Sequence, residues 1–281
     1  MTLSHYCSNE AFLSIISNKE VWISELSLSN DFLEGKWIKN VFTKLCATKE
    51  IDTQKLKRLL DHLDSLIAFA GGAGFCLSEE DDQLGQWRGY ADNGAGISIG
   101  FNPEYLESIC DSTTNENFAV RLSKMTYDVT EQKKLVAKPF ETVLHFAQEG
   151  GLSLPSLLDD DEAQDRKKKA QADLAKSFIL FLPHLFSMKN PAFREEKEWR
   201  LLSHITRIGD GGGDISKMEF RASKDRIVPY IKLKLRDSQL PAIDQVIIGP
   251  RNLTPIEAVQ AFLSKHGFHG AKVRKSEASY R

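Results

Sequence analysis

The chain has 281 residues, 41% of them hydrophobic, which suffices for a substantial core in one large domain or two modest ones. Lys and Arg number 37 against 39 Asp and Glu, a formal charge of -2. That balance excludes an overall basic field of the kind that drives binding to nucleic acid without sequence preference, and leaves only a local basic patch open. No apolar run approaches the roughly eighteen residues of a membrane helix, and Met1-Thr2-Leu3-Ser4-His5 lacks a basic segment followed by an apolar one, so a cytosolic protein is expected.

Leu3 to Cys7 reads as a short strand. Ser8-Asn9-Glu10 then starts a helix over Ala11 to Ile16, whose apolar positions follow helical spacing. Glu20 to Ser24 has the β-branched and aromatic composition of a second strand. Asn30 or Asp31 can cap a helix from about Phe32 to Thr48. Leu56, Leu59, Leu60, Leu63, Leu66 and Ile67 recur at three and four residues, predicting an amphipathic helix from Thr53 to Phe69 that Gly71-Gly72 stops. Ala73 to Ser78 and Gly96 to Phe101 read as strands on either side of the acidic, aromatic connection Glu79 to Gly94. From about residue 131 to 188 the pattern is mainly helical, interrupted at Gly150-Gly151 and Leu154-Pro155. Asp159-Asp160-Asp161-Glu162 there precedes Arg166-Lys167-Lys168-Lys169, as on an exposed helix with acid at its positive end. Strands follow at Trp199 to Ile205, Met218 to Arg221, Ile227 to Leu235 and Gln245 to Ile248, with Gly209 to Gly213 as a loop. A helix from Thr254 to His266 and a last strand near Ala271 to Val273 complete the chain. The expected fold is α+β: one domain over residues 1–281, with a mixed or antiparallel central sheet built from strands at both ends and a helical insert between them.

Cys7, Cys46, Cys76 and Cys110 form no CxxC pair and no zinc-type spacing, so reduced, mostly buried thiols are expected, with catalysis by Cys7 beside His5 as the alternative. Three segments can carry chemistry. His5-Tyr6 lies on the first strand, where a histidine is equally at home as a structural residue. In Glu195-Glu196-Lys197-Glu198-Trp199-Arg200-Leu201, strand alternation places Glu196, Glu198 and Arg200 on one face and Trp199 and Leu201 on the other. The two carboxylates and the guanidinium then face outward together, a pattern that also fits an edge strand guarded by charge. In the segment from Trp87 to Phe101, Trp87 or Tyr90 can stack on a flat ring or pack in the core. GxGxxG before a helix, GxxxxGK[ST], HExxH, GxSxG and EF-hand patterns are absent, and no metal site is expected.

Together these segments resemble the bacterial family catalogued as domain of unknown function 2971 (DUF2971). The resemblance runs through Leu3 to Ser8, Val21 to Ser24 with Asn30-Asp31 and Glu34, Phe75 to Ser78, and Gln86 to Ala91 with Gly96 to Phe101. It continues through Phe193 with Glu196 to Arg200, Val246 to Pro250, and Ser276 to Arg281. More distantly, an early strand bearing His, an aromatic second strand and a late Glu at a strand start are similar to the ADP-ribosyltransferase superfamily. No Gly follows His5, and no Ser-Thr-Ser strand is present. That resemblance implies an NAD-consuming toxin or anti-phage effector acting on nucleic acid, protein or NAD itself. Glu198 and Glu196 would be catalytic, and His5, Tyr6, Trp22, Trp87, Tyr90 and Arg200 would bind NAD, Arg200 at the pyrophosphate. A nucleotide- or nucleic-acid-binding regulator without turnover and a metal-dependent hydrolase or nuclease using Glu196, Glu198 and His5 remain the other readings.

Overall fold

The computed structural model describes residues 1–280 apart from 30, 32, 113–117, 154–159, 208–212 and 224. Ten strands form a single sheet: β1 (Leu3–Cys7), β2 (Glu20–Glu25), β3 (Ala70–Ser78), β4 (Ile97–Phe101), β5 (Val120–Lys124), β6 (Glu198–Thr206), β7 (Glu219–Ser223), β8 (Arg226–Lys234), β9 (Ile243–Ile248) and β10 (Lys272–Lys275). Neighbours along it run β10-β9-β4-β1-β3-β2-β8-β7, and β6 joins β3 to β5. The helices are α1 (Asn9–Asn18), α2 (Ile38–Thr48), α3 (Thr53–Phe69), α4 (Leu84–Tyr90), α5 (Pro103–Ser112), α6 (Val129–Phe146), α7 (Asp161–Ser177) and α8 (Ile256–Lys265). The expected mixed α+β architecture is the one observed, with only β9 and β10 parallel among the described strand pairs.

Helix starts follow the capping rule: Ser8, Asp52, Asp128 and Asp160 each accept a backbone N–H from the first turn of α1, α3, α6 and α7. Two cores result. On one face of the sheet α1, α5 and α8 bury Phe12, Ile16, Tyr105, Leu106, Val259 and Leu263 against alternate strand residues. On the other, α2, α3, α6 and α7 form one layer around Phe42, Leu63, Phe140, Leu174 and Phe178. The helical insert is therefore joined to α2 and α3 in a single core. A third, smaller cluster of Tyr6, Trp87, Ala91 and Ile247 lies under α4.

Several local expectations change. Gly71 and Gly72 do not stop α3 by a turn, because β3 already begins at Ala70. A Cβ at Gly72 would stand 2.6 Å from ring atoms of Phe186, so glycine is what lets that ring lie on the strand. The helix expected from Phe32 starts at Ile38, preceded by turns from Leu33 to Trp37, and Asp31 accepts from Leu33 N instead of capping it. Asn30, Leu154-Pro155, Asp159 and Gly209 to Gly212 lie outside the described residues. The polar connection after β3 contains α4, and α5 and β5 stand where no element was expected. β6 pairs on both sides, with β3 and with β5, so it is not an edge strand.

The fork in the sheet positions the site. One edge of β3 pairs with β6 along its whole length. The other edge is shared: Ser78 pairs with Ser4 of β1, whereas Ala73 and Gly74 pair with Glu25 and Ser24 of β2. Between those anchors, at Phe75 to Leu77, the two half-sheets part.

Gly72→Ala should lower unfolding free energy by roughly 1–3 kcal/mol, because the ring of Phe186 must be displaced from a filled layer. Gly89→Ala on α4, where an added Cβ meets nothing within 4 Å, should be neutral or stabilise by up to about 1 kcal/mol. Urea titration of both variants checks the contrast.

Candidate functional site

A cavity of about 110 Å³ opens at the fork, room for a cluster of waters or one ring-sized group and not for a whole dinucleotide. Ser4, His5 and Tyr6 of β1, Cys76 and Leu77 of β3, Glu198 and Arg200 of β6, and Gln86 and Tyr90 of α4 line it. Ser29, Asp31, Glu34, Lys189, Phe193 and Glu196 close it from the loops. Alternation along β6 is as the sequence suggests, with Trp199 and Leu201 on the first core. The opposite face is not open water, however. Glu198 is 4% exposed and Arg200 1%, covered by the helical layer.

Arg200 is the centre of a buried ionic network. Its Nε and one terminal nitrogen donate to Glu198 Oε1 and Oε2 at 2.6 and 3.0 Å. Both terminal nitrogens donate to Glu34 at 2.7 and 2.8 Å, and one also reaches the Phe186 carbonyl at 3.3 Å. All five N–H groups are thereby engaged. Lys189 Nζ donates to Glu198 Oε2 at 2.9 Å and to Glu196 Oε2, and Tyr90 Oη donates to Glu196 Oε1 at 2.7 Å. Burial alone would raise the Glu198 carboxyl, but Arg200 and Lys189 outweigh it and hold the group down to about 2. The same carboxylates, Glu198 first and then Glu196, hold the Lys189 ammonium well above its ordinary value despite burial.

Backbone bonds fix this geometry. Lys197 takes a left-handed conformation at φ 42°, turning the chain between Glu196 and Glu198. Ser78 Oγ donates to the Glu196 carbonyl at 2.7 Å, and Glu198 N donates to Tyr127 Oη at 3.0 Å. Gln132 of α6, fully buried, donates to the carbonyls of Thr126 and Lys189 at 2.7 and 2.9 Å and accepts from Trp37 Nε1 at 3.0 Å. The helical layer thus sets where Lys189 stands. Glu34 is placed by the turn through Gly35, whose φ is 71° and whose missing Cβ leaves room for Phe186.

His5 fills the gap where β1 leaves β3. Its ring stacks on Phe75 at 4.0 Å, and its Nδ1 lies 2.8 Å from the Cys76 carbonyl, which can only accept, so Nδ1 carries the proton. Burial lowers the imidazole to about 4, partly opposed by that bond, so it is neutral at pH 7. Tyr6 Oη donates to Glu80 O and accepts from Gln83 N, both at 2.9 Å.

Six of the eight residues expected at the site share the cavity: His5, Tyr6, Tyr90, Glu196, Glu198 and Arg200. Trp87 is fully buried behind Tyr6, edge-on at 4.8 Å with its Nε1 on Asp82, so it supports the wall without lining it. Trp22 lies off the cavity, 4.5 Å from Tyr230 with its Nε1 on Glu20. Arg200 has no donor left for a pyrophosphate. Cys7 is buried in the core with its thiol pushed up, first by burial and then by Asp92, which removes it as a nucleophile. Cys76 is the thiol of the cavity. It is exposed, and it lines the cavity wall. Burial first and Glu198 second keep it protonated. Among the described residues no three His, Cys, Asp or Glu side chains are disposed to hold a metal ion. Glu34, Lys189, Ser4, Ser29, Gln86 and Cys76 were not singled out as site residues. Of these, Ser4, Glu34, Cys76 and Gln86 fall on motifs of the family resemblance, and Lys189 and Ser29 do not.

Acid should remove stability in two stages. His5 and His204, both lowered to about 4 from 6.5, refuse protons that the unfolded chain accepts, so stability falls as pH drops from about 6.5 to 4. Glu198, lowered from 4.5 to about 2, contributes stability that is present above 4.5 and lost between 4.5 and 2. Denaturant titration across pH should show both stages, the upper one weakened in a His5→Asn, His204→Asn double variant.

No helix among the described residues is long and apolar enough to cross a membrane. No curated protein and no solved structure was found to match the chain. Residues 86–201, which contribute Gln86, Tyr90, Lys189, Phe193, Glu196, Glu198 and Arg200 to the cavity, match the family described as protein of unknown function (DUF2971).

Proposed function

We propose that the chain is an ADP-ribosyltransferase-like enzyme that consumes NAD, as a toxin or anti-phage effector acting on a macromolecule or on NAD itself. The observation that carries this reading is the charge of the cavity. Its wall holds Asp31, Glu34, Glu196 and Glu198 against Lys189 and Arg200, a formal surplus of two negative charges beside the aromatic rings of Tyr6, Tyr90 and Phe193. When the bond between ribose and nicotinamide breaks, nicotinamide leaves with the bonding electrons and positive charge develops on the ribose. A fixed anionic wall is most useful where that charge appears.

The roles follow from the hydrogen bonds. Glu198, both of whose oxygens are taken by Arg200 and Lys189, is a preorganised charge and not a mobile base. Glu196 lies nearer the mouth, with 16% of its side chain exposed and one bond to each oxygen, so lone pairs remain to orient a ribose hydroxyl or to take the proton of the acceptor. The acceptor atom forms its bond to the anomeric carbon as the nicotinamide bond breaks, and its proton passes to Glu196. Arg200 contributes by fixing Glu198. The cavity's size favours entry of the nicotinamide end, with the phosphates outside the acidic wall.

The saturation of Glu198 also favours a second reading, a nucleotide-binding regulator without turnover. The two separate in one experiment. The protein is incubated with labelled NAD, alone and with DNA, RNA or lysate, and nicotinamide release and label transfer are followed. Turnover should fall at least about 10²-fold in Glu198→Gln and in Glu196→Gln at temperatures where each variant remains folded. Release unaffected by both substitutions would sink the catalytic assignment, and a rise in melting temperature with NAD but no nicotinamide would favour the regulator.

A further inference from the structure

A strand with a single neighbour offers a row of backbone groups to whatever lies beside it. In this sheet those strands are β5, β7 and β10. β10 carries Lys272, Arg274 and Lys275 among its four residues, the kind of charge that keeps an edge from pairing further. β5 lies against the helical layer: Arg121 donates to the Pro183 carbonyl at 2.8 Å, and just beyond the strand Thr126 bonds to Ser187 O and Lys189 N at 3.0 and 3.2 Å. β7 has no such guard among the described residues. Large apolar side chains also reach the surface here, Phe220 being 55% exposed and Ile227 of β8 69%. Phe220 and Ala222 face the same way as Pro229 and Ile227 opposite them, which makes one apolar strip along the open edge.

The backbone of β7 is turned toward a partner. Phe220 stands opposite Pro229, which has no N–H to give, so the two direct their backbone groups away from each other. The N–H and C=O of Phe220, and by alternation those of Ala222, therefore point out of the sheet. An antiparallel neighbour must present its own outward residues to them, which leaves two ways of laying a second β7 alongside the first about a two-fold axis. Centred on Arg221, the pairing sets guanidinium against guanidinium. Centred on Phe220, it sets Glu219 of each copy against Arg221 of the other on one face and the two phenyl rings against each other on the opposite face, both favourable cross-strand pairs. Glu219-Phe220-Arg221 is thus its own complement when reversed. Within its own chain Glu219 meets Lys232 at 3.7 Å and Arg221 donates one N–H to Ser24 Oγ at 3.3 Å, so both side chains keep capacity for a partner.

We propose that β7 is a homodimer interface, through which two copies of this chain join edge to edge, antiparallel about Phe220, into one continuous sheet. The inference rests on the sheet edge and not on the cavity or its activity. A stable interface hides about 800 Å² on each partner, and a five-residue edge with its apolar strip is smaller, so the dimer should dissociate on dilution.

Sedimentation velocity of the full chain should show the average mass falling from that of two chains toward that of one between about 100 and 1 µM. Ala222→Pro, which removes an outward N–H and no bond within the sheet, should leave the melting temperature of the dilute protein unchanged and keep the chain monomeric throughout. Glu219→Arg and Arg221→Glu each set like charges opposite one another and should be monomeric alone. Mixed one to one, they should recover the dimer, because every cross-strand pair is then of opposite sign. A native chain that stays monomeric at every concentration would overturn the proposal, as would a dimer that persists in Ala222→Pro. Reversed variants that dimerise separately as well as together would overturn the register. Where a reversed variant fails to fold, Ala222→Pro alone decides.

Discussion

The contact on which the site depends is the buried guanidinium of Arg200 held two-pronged by Glu34 on one side and by Glu198 on the other. Taking three charges out of water costs several kcal/mol per ion after relaxation, and mutual attraction offsets this only when every donor is satisfied in good geometry. Arg200 meets that condition with its last N–H on the Phe186 carbonyl. The network ties the turn before α2 to β6 and to the segment leading to Lys189, three regions far apart in the chain. Apolar side chains of the same volume would join those layers at least as strongly. What the charged arrangement adds is a carboxylate fixed in place and kept ionised to low pH.

The fork supplies the space for that carboxylate. A strand whose edge is shared by two neighbours leaves unpaired backbone where they part, and buried backbone groups must be bonded somewhere. The Cys76 carbonyl is met by the imidazole of His5, so the residue that closes the gap is also the one that carries β1 into the cavity wall. The neutral state of His5 follows from this role. A charged imidazole stacked on Phe75 would have to be desolvated with no carboxylate among its hydrogen bonds.

How much of this was legible in the sequence depends on how local the cause is. The period of Leu56 to Ile67 and the cap at Asp52 fix α3, and alternation separates Glu198 and Arg200 from Trp199 and Leu201. Which face of β6 meets water was not legible, because it depends on β5 and on a helical layer brought in from residues 38–69 and 129–177. Nor were the two glycines near the start of β3, because the need for Gly72 arises from Phe186 and that for Gly71 from Ile205, each more than a hundred residues later. Lys189 carries no signal of its own: its place is set by Gln132 through backbone carbonyls. The aromatic residues divide in the same way. Tyr90 reaches the cavity because α4 turns it there, whereas Trp87, three positions earlier on that helix, turns inward to Tyr6 and Asp82.

The charge imbalance connects these features to function. A recess with two more carboxylates than cations is less stable than a neutral one of the same shape, and the cost grows as water is excluded. Structural ion pairs have no reason to carry such a surplus, since one further lysine or one fewer glutamate would relieve it. A ligand that is cationic, or that becomes so along a reaction coordinate, relieves it only while bound. Under the reading proposed above, that ligand is the ribose as nicotinamide leaves, its developing charge facing Glu196 and Glu198.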